Sequence, residues 1–408
     1  VLEISPAMVL IKEVIVVLIF ISWLTEDIIL KNRVKLPSNP VLMPLGVFLF
    51  ILVVQFLRIG TPLQSLFGLR LYITYLPLFY VMLTEKITGH RLKTVLFVMI
   101  FTAMLTVVYG FWQWSVGLEG LRDFDLAKAG PNIASGGYLR VFSTYPGPEY
   151  FAANLILQML VLVSLILYSR NRAGKIAYSV CIGLMMFMLV TTLYRSMWIM
   201  ALVSFTAILA IIRKYRYAIF MVIAIFLVIQ YSPSYVKERA MTTFSKDDIS
   251  YQTRKELYLK VNVINVLENI IGYGVGSSFG GEIFTLRTGR RYSSSLLTGG
   301  KTESWLTSVT IELGVLGLVV YLWLMVAIIK TSLYVYRESS DLFWRGLGLA
   351  FSAFVIGDLV VSSFFLVPAC FPAGDLYFWF LTGLMANKYY EIVYENPLDL
   401  LLVQQTPF

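Results

Sequence analysis

The chain is a succession of long apolar runs separated by short segments rich in Lys and Arg, and that alternation constrains the fold more than any motif does. A helix of about 18 or more apolar residues matches the hydrocarbon thickness of a bilayer. Inside hydrocarbon every backbone N–H and C=O must be satisfied by other backbone, which leaves helices or a closed barrel. The runs are continuous rather than alternating at period two, so they read as helices and argue against a barrel. With 58% hydrophobic and 14% charged residues, the composition is that of a polytopic membrane protein. The fold class is therefore all-α. About eleven transmembrane helices are expected, at residues 7–24, 41–57, 71–84, 94–115, 151–168, 177–193, 197–212, 217–231, 305–329, 346–367 and 376–388.

Consecutive spans alternate in direction, so the loops fall into two sets. One set holds Lys31, Arg33, Lys35, Lys86, Arg91, Lys93, Arg170, Arg172, Lys175, Arg213, Lys214, Arg216, Lys330, Arg337, Arg345 and Lys388. These outnumber the basic residues of the other set, and cytoplasmic loops retain Lys and Arg. The bias puts the C-terminal tail inside. It puts residues 116–150, the turn at Tyr194-Arg195-Ser196 and the long segment 232–304 outside. Three parts follow: 1–231 with the first eight spans, 232–304 as an extracytoplasmic domain, and 305–408 with the last three spans and the tail. Residue 1 lies outside on this topology, which leads to the expectation of a preceding sequence with at least one more helix.

The net charge of +9 is then mostly a topology signal, and no nucleic-acid partner is expected. Cys181 and Cys370 read as free thiols. No His/Cys cluster suits a metal, and an isolated Asp123-Phe124-Asp125 is weak support for one. His90 belongs to a cytoplasmic loop and is no outer-face base.

Four outer segments carry chemistry-bearing residues. The first runs from Gly136 through Arg140 to Pro146-Gly147-Pro148-Glu149, where a tight turn brings a cation to the membrane surface. In the second, Thr191 to Trp198, Arg195 sits between two apolar helices, a costly position unless the charge is paired or faces a polar cavity. Arg254 opens a third segment, an amphipathic stretch with Tyr251, Tyr258 and the stripe Leu257, Val261, Ile264 and Leu267; it ends at Gly272-Tyr273-Gly274-Val275-Gly276. No strand precedes this glycine run, so a helix stop and a close-approach loop fit it better than a nucleotide loop. The stretch Leu286 to Ser295 adds Arg287, Arg290, Arg291 and Tyr292. The fourth is Thr302-Glu303-Ser304-Trp305 followed by Glu312-Leu313-Gly314 and Gly317. Glu303 is either a helix cap or a general base, and Glu312, inside the span, needs an arginine or a hydroxyl as partner.

Taken in order, these segments resemble the O-antigen ligase and O-antigen polymerase superfamily, including exopolysaccharide repeat-unit polymerases, over about Arg140 to Gly317. The resemblance implies a C-type glycosyltransferase-like membrane architecture in a bacterial inner membrane, with its active site facing the periplasm. It implies glycans carried on undecaprenyl diphosphate as substrates, membrane lipids and a chain-length regulator as partners, and no cofactor or required metal. Arg195 and Arg254 take the places of the family's functional arginines, with Arg140 beside them. Ligases of the family carry a His in the segment before Glu-x-Gly, and here that stretch is Lys301-Thr302-Glu303-Ser304. The difference favours a polymerase, with Glu303 as base, over a ligase acting on lipid A core.

The chemistry is consistent with the residue types. A diphosphate leaving group calls for fixed guanidiniums, and the acceptor hydroxyl calls for one base. Arg140, Arg287, Arg290 and Arg291 are expected substrate contacts, as are Tyr258, Tyr273 and Trp305, whose rings suit sugar stacking or interfacial anchoring. A lipid-linked-oligosaccharide flippase is the alternative of another class; it predicts charges spread over several spans and helices broken near mid-bilayer.

Overall fold

The computed structural model describes residues 6–30, 36–58, 62–85, 89–123, 134–135, 137–168, 171–214, 234, 236–237, 270–278, 304–363 and 375–394. They form an all-α polytopic membrane protein whose only strands, among these residues, are the two-residue pair β1 (Ala134–Ser135) and β2 (Tyr138–Leu139). Six of the described helices are long and apolar enough to cross a bilayer: 64–84, 89–121, 148–168, 172–191, 305–338 and 342–362. Two shorter apolar helices, Leu42–Arg58 and Arg195–Ile211, accompany them. The expected span 217–231 lies outside the described residues.

The chain divides into two compact units. One comprises residues 87–256 and 349–374. Its described helices are α5 (Gly89–Asp123), α6 (Pro148–Tyr168), α7 (Arg172–Thr191), α8 (Arg195–Ile211) and the greater part of α10 (Leu342–Ser362). α6 is its centre, packed against α5, α7 and α8 and buried without a break from Phe151 to Leu162. Asn154, Gln158 and Ser164 lie on this helix, and polar side chains of that kind are costly against lipid, which favours its enclosed position.

The second unit comprises residues 2–86, 257–348 and 375–408. Its described helices are α1 (Pro6–Trp23), α2 (Leu42–Arg58), α3 (Pro62–Ile73), α4 (Leu76–Thr84), α9 (Trp305–Glu338) and α11 (Asp375–Tyr394). α11 lies on α4 and α9, and α9 also packs on α2. The Asn387 amide donates to Met82 O at 2.9 Å and Glu85 O at 2.7 Å, satisfying carbonyls at the end of α4 that have no partner within the helix.

The helices differ from the expected spans in one systematic way: three are broken. The span expected at 71–84 starts earlier and changes course at Thr74–Tyr75, just before Pro77, which has no N–H for the preceding turn. α5 runs past the expected end at 115 but turns at Gly117, and Leu118 and Leu121 then pack on Leu139 and Phe142. α9 is broken at Gly314, with φ 75° and ψ −176°, a conformation open essentially to glycine alone. Broken helices were expected of a transporter, so helix continuity does not separate the two functional classes.

Candidate active site

In the first unit, a buried glutamine fixes the segment that follows Arg140. Gln113 of α5, 1% exposed, accepts from Ser143 N at 2.7 Å and Phe142 N at 3.2 Å, and donates to Ser143 O at 2.9 Å. The Ser143 hydroxyl donates to Thr106 O at 2.6 Å, and Ser143 itself adopts φ 54°. One residue earlier but one, Val141 N donates to Thr191 O at 3.2 Å at the end of α7. The segment is thus stitched to both α5 and α7.

Those bonds fix where the charges fall. Arg140 lies 5.9 Å from the centroid of the Tyr194 ring, within cation–π range. Tyr194 precedes Arg195, which is the first residue of α8 rather than part of a turn. Pro148 and Glu149 open α6, and the Glu149 carboxyl feels the Arg140 charge. Tyr150 interacts in turn with Glu149 and Tyr194. Arg140, Glu149, Tyr150, Tyr194 and Arg195 are all half-buried. They form a partly open, mixed-charge cluster at one end of the helices, and span parity requires the segments that carry them to share a face.

In the second unit, the Gly272–Ser278 loop fills the break in α9. Tyr273 N donates to Ile311 O at 2.7 Å and Gly274 N to Glu312 O at 3.0 Å, while Val315 N donates to Ile270 O at 3.0 Å. Two carbonyls and one N–H at the break are thus taken up by backbone groups of residues 270–274. Contact is backbone to backbone: a Cβ on Gly314 would lie 2.3 Å from Ile270 O, and one on Gly272 2.4 Å from Gly314 N. Gln55 and Arg58 at the end of α2 donate to Ile271 O and Gly272 O, the latter at 3.1 Å, and Gln64 donates to Gly276 O at 2.7 Å. The close-approach role expected for this glycine run is what the structure shows.

Glu312 completes that junction. It is 1% exposed, accepts the Tyr72 hydroxyl at 2.9 Å on Oε2 and Ser278 N at 3.2 Å on Oε1. The expected partner was an arginine or a hydroxyl, and among the described residues the Tyr72 hydroxyl is one such partner. The Ser278 hydroxyl reaches Ser308 at 3.1 Å. Trp305 is 2% exposed with its ring 5.3 Å from Tyr72, so its described ring contact is with a buried aromatic. Ser304 is the N-cap of α9, its side chain accepting from Thr307 N at 3.4 Å.

Of the residues singled out in the sequence, Arg140 and Arg195 belong to the first unit, where Arg140 lies against Tyr194, the residue before Arg195, and Tyr273 and Trp305 belong to the second. Arg254, Tyr258, Arg287, Arg290, Arg291 and Glu303 lie outside the described residues. Among the described residues, no group of three or more His, Cys, Asp or Glu gathers to hold a metal. Sequence reasoning passed over Gln113, Tyr72, Gln55 and Arg58. A lone glutamine within an apolar run was the available signal for the first.

A search of curated proteins finds no match. Residues 180–322 match the family model described as O-antigen ligase. That stretch runs from within α7 to within α9 and includes Arg195, Arg254, Glu303 and Glu312; Arg140 precedes it. Over this stretch, about a third of its length, the chain is similar to the O-antigen ligase/polymerase superfamily.

Proposed function

We propose that the protein is a polymerase that joins oligosaccharide repeat units carried on undecaprenyl diphosphate, at the periplasmic face of a bacterial inner membrane. The observation that carries this reading is Arg140 lying against the Tyr194 ring, next in sequence to Arg195, at the start of a helix within the segment that matches the O-antigen ligase family. Two guanidiniums at a membrane interface suit a diphosphate leaving group, whose developing charge they neutralise. Arg254 adds a third cation, and Glu303 takes the proton of the acceptor hydroxyl. The hydroxyl oxygen attacks the anomeric carbon from the face opposite the diphosphate, the C–O bond to phosphate breaks, and the configuration inverts. No metal is needed, because arginines supply the positive charge. Arg287, Arg290, Arg291 and Tyr258 would hold the glycan or its carrier, and a chain-length regulator would act as partner.

A ligase reading rests on the description of the matching family, and the lack of a His before Glu312 weighs against it. The test is to incubate purified protein with lipid-linked repeat units and resolve the products. A ladder of longer lipid-linked glycans supports polymerisation. Transfer only to lipid A core would establish the ligase, and movement of substrate across vesicles without a new bond would establish the flippase. Within a working assay, Glu303→Gln should bind substrate and lower kcat by about two to four orders of magnitude.

A further inference from the structure

Among the described residues, the first unit buries several polar atoms with no hydrogen-bond partner, and they border the arginine cluster. They are Glu149 Oε2, Asn154 Oδ1 and Ser196 Oγ, followed deeper along α6 by both amide atoms of Gln158. Asn154 is 3% exposed and Ser196 1%. An unpartnered buried polar atom is costly, and such atoms in a native protein point to an unseen partner.

Their placement is not scattered. Tyr150 and Asn154 are four residues apart on α6 and share a face. Ser196 occupies the first turn of α8. α6 and α8 pack against each other. Asn154 lies about 8 Å along the axis from Glu149 at 1.5 Å per residue, close beneath the membrane surface. Glu149 itself is folded back: a Cβ on Gly147 would stand 2.6 Å from its Oε1, so glycine is what lets the carboxyl lie there.

The chemistry of these atoms differs from that of the arginines. Arg140 and Arg195 attract anions, whereas a carboxylate oxygen and an amide carbonyl repel phosphate and accept from O–H groups. A hydroxyl such as Ser196 adapts to either. The cluster therefore has a cationic side and an acceptor side, and a sugar diphosphate has a polyanion and a set of hydroxyls joined at one carbon. We infer that Glu149, Asn154 and Ser196 form a subsite for the hydroxyls of the sugar bonded to the diphosphate, with Arg140 and Arg195 taking the phosphates. This rests on the lipid-linked glycan reading and specifies where that sugar binds.

The test compares two probes on the full-length protein in detergent: undecaprenyl diphosphate, and the same lipid carrying the producing cell's repeat unit. Glu149→Gln and Asn154→Leu should each weaken binding of the glycan-bearing lipid about tenfold and leave the bare lipid within about twofold. Gly147→Ala, which displaces the carboxyl without changing its chemistry, should reproduce the Glu149→Gln result. Arg195→Ala should weaken both probes. Equal loss of both probes in the Glu149 and Asn154 variants, or no loss of either, overturns the subsite. Loss of glycan binding on chelation of divalent cations overturns it too, since the acceptors would then be serving a metal. If the wild-type protein binds neither lipid, the glycan-transfer reading fails, a result distinct from wild-type binding that the variants do not alter.

Discussion

The two units treat the buried oxygens of a carboxylate in opposite ways. In the second, both oxygens of Glu312 are occupied, one by the Tyr72 hydroxyl and one by the Ser278 amide, and the surrounding glycines bring backbone against backbone. In the first, Glu149 Oε2 has no hydrogen-bond partner, and neither do Asn154 Oδ1 or Ser196 Oγ nearby. A satisfied buried polar group specifies an arrangement, whereas an unsatisfied one is a cost that persists where function requires it. The lesson is that buried charge marks two different things here: a structural junction at Glu312 and a receptive surface at Glu149.

Gly314→Ala should produce the largest effect. It forces a Cβ to within 2.3 Å of Ile270 O at a residue with φ 75°, and a cost above about 4 kcal/mol is expected from that combination. Expression level and melting temperature measure it. A variant that accumulates and melts as the wild type does would remove the claim that the break in α9 is fixed by the loop.

Arg195→Lys ranks next and acts on the other side of the comparison. A point charge does not reproduce a planar fork, so turnover should fall about 100-fold with melting nearly unchanged. Full turnover would reduce Arg195 to a membrane anchor. Glu312→Gln should do the reverse, leaving the junction one hydrogen bond short and costing about 1–3 kcal/mol. Tyr72→Phe should cost a similar amount, and the double variant less than the sum, because both remove the same contact. Additive losses in thermal or denaturant unfolding would dissolve the pair.

The smallest effect is expected at Gln158. Neither amide atom has a partner and the side chain is 0% exposed, so Gln158→Leu removes a desolvation cost and should be neutral or stabilise by about 1 kcal/mol. Clear destabilisation would show that Gln158 is satisfied in the folded protein and would narrow the contrast between the units.

The sequence by itself determined the all-α membrane class, because hydrocarbon leaves an apolar run of that length almost no choice but a helix. It also singled out Arg140, Arg195, the glycine run and Glu312, since a charge or a cluster of glycines amid apolar helices stands out in composition alone. The run length did not reveal that α9, α5 and the 64–84 span are broken, because glycine and proline are tolerated in membrane helices wherever a neighbour takes up the released groups. That neighbour is distant in sequence: Tyr273 and Gly274 serve Ile311 and Glu312. Nor did the pattern reveal that Ser304 is the N-cap of α9, or that Gln113 holds the segment that brings Arg140 to Tyr194. Such pairings depend on which surfaces meet when helices pack, and local periodicity holds no information about the partner across the interface. Only the tertiary structure decided which buried polar groups were satisfied, and so which carboxylate holds the fold and which faces a ligand.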